Sequence, residues 1–471
     1  MPNTIAYVVL LIWPFVSLAL FRRLPLERAL IWSIIGSYLI LPPVAEFDLP
    51  LVPDFDKFSI PSLTAVFIIF VMLKQPFGLV PKTWIGKLLI FGFIFSAVPT
   101  VITNSEPAIF GDHAIPGLRL IDVLSALSNQ VIVLLPFLLA RQFLHTEKAL
   151  RELLLVMVIA GIAYSLPALF EIRMSPQLNV WIYGFFQHSF AQMMRDGGFR
   201  PIVFLPHALW LSLFFMSASV AAAALSRGLA REDRVRFVLA TGYLFAVLVL
   251  SKSLASFAYG LALVPLVLIA DTKLVLRVSM GFALVAVIYP MLRNLEFIPL
   301  EWILDQAYAV DPKRGESLEY RFDNEIELLA RAAEKTWFGW GGWGRNLLHD
   351  PSTGAIISVP DGRWIITFGT FGWLGYICEM ALLALPIFLL NYSNRVERVG
   401  FVAATCALLL AITMVDMLLN DTLVPFTWMI AGAILGRVES LATGPDGSVR
   451  TLFPKGPAIG RAHPDSRRSV M

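Results

Sequence analysis

Long apolar runs, separated by short charged connections, repeat along almost the whole chain. They fall at 4–21, 29–43, 60–73, 85–103, 119–140, 152–170, 201–225, 237–250, 254–270, 274–292, 364–391, 400–417 and 423–436. A membrane-crossing helix needs about 20 apolar residues to cover roughly 30 Å of hydrocarbon. The pattern therefore predicts an all-α polytopic membrane protein with about 12–13 transmembrane helices. The runs at 29–43, 60–73 and 423–436 are short enough to tilt, pair or re-enter. Ile5–Phe21 lacks a basic leader and a small-residue cleavage site, so it reads as a first span and not as a signal peptide. Residues 1–440 read as one transmembrane domain, with a large loop at 293–363 inside it. Residues 441–471, rich in Gly, Pro, Arg and Ser, read as a disordered cytoplasmic tail.

Composition agrees: 57% of the 471 residues are apolar and 15% charged, against about 25% charged in soluble domains. That excludes a soluble enzyme, a disordered chain and a nucleic-acid binder; the first partner is the lipid bilayer. The net charge of +3 says little until its distribution is read. Arg22, Arg23, Arg28; Lys74, Lys82, Lys87; Arg141, Lys148, Arg151; Arg227 to Arg236; Lys273, Arg277; and Arg395, Arg398 fill alternate short connections, which marks that side as cytoplasmic. The opposite connections, 44–59, 104–118, 171–199 and 293–363, are acidic or long and face outward. Cys378 and Cys406 lie in apolar runs and suggest no disulfide framework.

Residues 293–363 are the one stretch that reads as a soluble module. Leu318, Phe322, Ile326, Leu329 and Ala330 recur near helical spacing, predicting an amphipathic helix over Ser317–Lys335. Trp337–Arg345 follows as Trp-Phe-Gly-Trp-Gly-Gly-Trp-Gly-Arg. Glycine permits close backbone approach, and tryptophan favours membrane interfaces and the faces of sugars. An interfacial helix with an aromatic belt is one reading. Arg321, Arg331, Arg345 and Arg363 add another. A guanidinium binds phosphate through paired hydrogen bonds, so a pyrophosphate anchored in the outer leaflet suits this face.

Four motifs carry a likeness to a known family. Phe199-Arg200-Pro201 and Pro206-His207 stand where a long outer loop turns into a span. Leu250-Ser251-Lys252-Ser253 makes a tight outer turn. Arg321, in Tyr-Arg-Phe, opens a helix that leads into the tryptophan–glycine stretch. Asp361-Gly362-Arg363-Trp364 precedes Gly369 and Gly372. In these motifs, within residues 195–380, and in its many spans and single dominant outer loop, the sequence resembles the O-antigen polymerase and O-antigen ligase superfamily of bacterial inner-membrane glycosyltransferases. The resemblance implies a GT-C-like protein of the bacterial inner membrane, its large loop periplasmic and its C-terminus cytoplasmic. It implies transfer of a glycan from a polyprenyl pyrophosphate, with arginines holding the pyrophosphate, a base activating the acceptor hydroxyl, and neither metal nor other cofactor. A chain-length regulator protein would be a partner of the polymerase form. The ligases usually show His-Asn where this chain has Asp361-Gly362, which favours a polymerase of O-antigen or exopolysaccharide repeat units. A ligase, and a non-enzymatic flippase or exporter of lipid-linked sugars, are the alternatives.

On this reading Arg321, Arg200 and Asp361 are the catalytic candidates, and Lys252, His207, Arg345 and Arg363 the substrate-binding ones. Each has a plainer reading. Arg321 can pair with Glu325 one helical turn on, Arg200 can bind lipid headgroups, and Lys252 can snorkel. Asp361-Gly362 can be a turn, and His207 a hydrogen-bonded core histidine. Burial would raise the pKa of Asp361 and neighbouring arginines would lower it, which leaves the sign open. Asp54 and Asp56, with Glu46 and Asp48 nearby, form a competing carboxylate set of the kind that holds Mg²⁺ or Mn²⁺.

Overall fold

The structure, a computed structural model, describes residues 1–48, 53–195, 197–295, 297–394 and 399–442. Of the expected tail, Leu441 and Ala442 continue the last helix, and 443–471 lies outside the described residues. Each of the thirteen apolar runs is wholly or mostly helical. The first half contains α1 (Thr4–Arg23), α2 (Leu26–Ile40), α3 (Ser59–Val66), α4 (Trp84–Phe95), α5 (Ala97–Ile102), α6 (Leu120–Phe143), α7 (Glu147–Met174) and α8 (Leu178–Tyr183). The second contains α9 (Ala208–Leu225), α10 (Arg231–Leu250), α11 (Leu254–Ile269), α12 (Thr272–Asn294), α13 (Leu300–Val310), α14 (Pro312–Ala333), α15 (Arg363–Ser393), α16 (Phe401–Asp416) and α17 (Pro425–Ala442). Among the described residues, seven helical stretches are long and apolar enough to cross a membrane: α1, α4 with α5, α6, α7, α9, α12 and α15. The chain is thus a mostly helical protein of the membrane type. Two small antiparallel hairpins, β1 (Ala108–Phe110) with β2 (His113–Ile115) and β3 (Met194–Arg195) with β4 (Gly198–Phe199), lie in the connections.

Helix α9 is the hub. It packs against α7, α10, α11 and α16 and is buried nearly throughout. Its run Ala221–Ala224 and its serines present small side chains, which let helices approach closely without a water-driven hydrophobic force between them. A methyl at Gly161 of α7 would sit 2.9 Å from Cβ of Ala218. Outer helices do the reverse. Leu11 and Phe15 of α1, Phe91 of α4, Leu239 of α10 and Leu261 of α11 are exposed and uncovered, a surface that suits lipid and not water.

Two expected spans are corrected. The run 201–225 becomes helical only at Ala208. Pro201 and Pro206 withhold N–H groups, and the residue before a proline avoids helical angles. The run 364–391 is broken at Gly372, whose φ of 63° and ψ of −162° belong to glycine alone. In a straight helix Arg363 and Glu379 would lie about 24 Å apart, yet their side chains pair at 2.6 Å. The arm Arg363–Phe371 therefore folds back on the arm Trp373–Ser393. The freed backbone groups bond to the glycine-rich stretch: Trp340 N–H to Gly369 O, Gly341 N–H to Thr370 O, and Trp373 N–H to Thr336 O, at 2.8–2.9 Å.

The amphipathic helix forms as α14, starting earlier than its apolar pattern predicts. Asp311 accepts a hydrogen bond from Lys313 N at 2.9 Å and Pro312 supplies the first helical residue, a combination that fixes a helix start.

Candidate functional site

The end of the bundle that carries the long connections holds a cavity of about 1300 Å³. Two separate stretches of chain wall it: His188 to His207 on one side, and α14 with Asp361 on the other.

Beyond the β3–β4 hairpin, residues 200–207 form no helix or strand, so side chains must satisfy their backbone. Glu171, fully buried near the end of α7, accepts Ile202 N–H and Val203 N–H at 2.8 Å and Leu178 N–H at 3.1 Å. Tyr164 Oη accepts Phe204 N–H, and Lys57 Nζ donates to Phe204 O at 2.9 Å. Burial pulls the Lys57 ammonium down to about 7. Gln187 donates to Val203 O and Leu205 O. These clamps fix His207, which caps α9 by accepting Leu209 N–H on Nδ1 at 3.0 Å. Burial, helped by the charges of His188, Arg200 and Arg321, holds His207 at about 3. The ring is therefore neutral, and with Nδ1 accepting, its proton sits on Nε2. His188 lies beside it, ring centroids 4.5 Å apart, and its Nδ1 accepts Ser189 N–H. Burial and the Arg200 charge lower His188 too, so both imidazoles offer an N–H and neither is a ready base.

On the other wall Arg321 Nε lies 3.4 Å from Asp361 Oδ2, and Nη1 donates to Leu419 O and Asn420 Oδ1 at 3.3 Å. Asn420 is in turn held by Asp416 at 3.2 Å. Burial pushes the Asp361 carboxyl up, against the pull of Arg321 and His188. Glu325 does not pair with Arg321. It binds Arg293 at 2.7 Å, which leaves Arg321 to Asp361. Lys313 and Arg314, at the N-terminal end of α14, and Tyr320, further along it, also line the cavity, as does Arg195. Sequence reading missed these four, although Lys313-Arg314 directly after a proline was a visible signal.

Arg321, Asp361 and His207 line one cavity. Arg200 lies behind the wall, 4% exposed, where its charge acts on His188 and His207. Lys252, at a turn with φ of 56°, donates to Arg195 O at 2.7 Å and so props the β3–β4 hairpin from below. Arg345 and Arg363 are elsewhere. Arg345 is buried and donates to the carbonyls of Trp340, Ile115, Pro116 and Glu106. Arg363 is held by Glu379 at 2.6 Å and by Asp421 at 3.6 Å. Asp56 accepts Phe58 N–H and Ser59 N–H at the start of α3. Among the described residues no three His, Cys, Asp or Glu side chains cluster as a metal site would require. No known protein family matches the chain, and no curated protein does.

Proposed function

We propose that the protein is a polymerase-type glycosyltransferase that joins polyprenyl-pyrophosphate-linked glycan units at the periplasmic face of the bacterial inner membrane. Most of its thirteen apolar runs then cross the bilayer, the 293–363 loop is periplasmic and the C-terminus cytoplasmic. One observation carries this reading: the Arg321–Asp361 pair on a large cavity whose other polar groups are mostly cations or N–H donors. Such a wall favours an anion, and a pyrophosphate that gains a further negative charge as the sugar–phosphate bond breaks needs charge stabilisation that strengthens in step.

Arg321, Lys313, Arg314 and the His207 Nε2–H receive the departing pyrophosphate oxygens. The acceptor hydroxyl attacks the anomeric carbon, its proton passes to Asp361, and the sugar–phosphate bond breaks with its electron pair leaving on the pyrophosphate. Burial raises the Asp361 pKa above its ordinary value, which makes the carboxylate a better base than an exposed aspartate. Arg200, behind the histidines, keeps them neutral and the wall positive.

The test is in vivo. Strains carrying Arg321→Ala or Asp361→Asn should accumulate the lipid-linked repeat unit and lack long polymer, with protein levels in the membrane unchanged. Polymer of normal length in both strains would falsify the proposal.

A further inference from the structure

A second cavity, of about 580 Å³, is lined by Arg363, two residues on from the Asp361 that lines the first. Its volume falls within the roughly 300–1,000 Å³ usual for small-ligand sites. Along α6 it runs from Ser125 to Pro136, about 16 Å into the bundle. Its chemistry is the opposite of its neighbour's. Arg363 is the one basic residue among the described residues that line it, and Glu379 and Asp421 both compensate that charge. Asp54 and Asp56 add further carboxylates, so a phosphate is disfavoured.

The wall also holds polar groups that nothing among the described residues bonds to. Trp428 is 1% exposed, and its indole N–H has no acceptor among the described residues. Gln130 is 5% exposed, and its amide has no hydrogen-bond partner among them. A buried donor left unpaired costs about 1–3 kcal/mol, which applies to the Trp428 N–H, and the Gln130 amide lines the cavity, where a ligand can reach it. Trp210, Trp343 and Phe371 provide aromatic surfaces in the same wall. Unpaired donors, carboxylates and aromatic faces together are what a neutral, hydroxyl-rich molecule requires: hydroxyls both accept and donate, and sugar faces stack on rings.

We propose that this cavity binds the neutral, hydroxyl-bearing end of a second glycan, the acceptor, while the cationic cavity holds the pyrophosphate of the donor. The assignment to an acceptor rests on the reading above; the neutral-sugar site stands on its own lining. Asp361 and Arg363, two residues apart, then face donor and acceptor cavities respectively.

Photolabelling tests this with the full-length protein in phosphatidylcholine nanodiscs. The probe is an alkyl maltoside carrying a diazirine next to the sugar. Labelling should be confined to peptides around Gln130 and Trp428, be suppressed by excess unlabelled alkyl maltoside, and resist inorganic pyrophosphate. Gln130→Leu, which keeps the side-chain shape, should reduce it about fivefold, the equivalent of one hydrogen bond of about 1 kcal/mol, and Trp428→Phe, which removes the indole N–H together with part of the ring, at least as much. Labelling spread along the lipid-facing helices, labelling unchanged in both variants, or labelling suppressed by pyrophosphate would overturn the proposal. Arg321→Ala should label as the unaltered protein does. Its polymer phenotype reads the catalytic assignment separately.

Discussion

Of the basic residues in 293–363, Arg293, Arg331, Arg345 and Arg363 are engaged by the fold itself. Arg293 binds Glu325, Arg331 stacks 3.4 Å from the Trp340 ring centre, Arg345 collects loop carbonyls and Arg363 binds Glu379. Lys335 likewise donates to Thr103 O and Asn104 Oδ1. The sequence made these residues look alike, since an arginine that holds carbonyls and one that holds a ligand occupy similar loops. Glu171 was hidden for the opposite reason. It stands at the edge of an apolar run, where nothing in the pattern shows that three backbone N–H groups will converge on it. Arg321 and Asp361 remain for chemistry, and they fix a pH dependence. Only the ionised Asp361 accepts a proton, and its pKa is raised from 3.8. Activity should therefore fall as pH drops through that raised value and level off above it. His207, at about 3, is neutral across this range and adds no second limb. A pH–rate profile of polymer formation by the purified protein checks this. Asp361→Asn should lower the rate by about 10²-fold or more and flatten the acid limb. The same limb persisting in that variant would assign the proton to another group.

At the scale of elements, apolar periodicity located the helices well because lipid and core both demand long apolar runs. It could not separate a straight helix from a folded-back one. Arg363–Phe371 and Trp373–Ser393 are apolar alike, and only the angles at Gly372 and the Arg363–Glu379 contact distinguish them. Gly369, Gly372 and Gly375 were visible as a spaced series, but spacing does not say which one breaks the helix. A methyl at Gly372 would collide with the backbone of Trp337 and Phe338 and force an angle that side chains avoid. Strain of that kind costs about 1–3 kcal/mol before the collision is added. Gly372→Ala should therefore lower the thermal unfolding midpoint in detergent, with Gly281→Ala, which meets open space, as the control. Equal midpoints would mean that the helix runs through unbroken.

For the molecule as a whole, charge bias along the connections suggested two sides, and the cationic cavity lies among the long connections, on the side where that bias expects few basic groups. Hydrophobic pattern and charge alone did not show its assembly; only the family resemblance grouped residues from both stretches. His188 to His207 and Pro312 to Asp361 are more than a hundred residues apart and carry no shared pattern; α9 and α14 bring them together. Sidedness itself is testable. The native thiols, Cys378 and Cys406, are buried, so background labelling should be low. A cysteine at Ser352 should react with an impermeant maleimide in cells whose outer membrane is permeabilised, whereas one at Arg231 should react only after lysis. The reverse pattern would place the cavity on the cytoplasmic side.

The pairing between Thr336–Gly341 and the broken α15 is made by main-chain atoms, while the side chain of Trp337 points largely to solvent, 67% exposed. Sequence drift should therefore spare this stretch unevenly. Side chains at position 337 are free to change between related proteins, whereas the number of residues between Thr336 and Gly341 is fixed by the carbonyls and amides they must reach. Gly339, whose φ of 67° brings it against the Thr370 backbone, is fixed with them. The stretch is constrained in length more than in letters, which lets a chain keep its architecture while its motif fades from view.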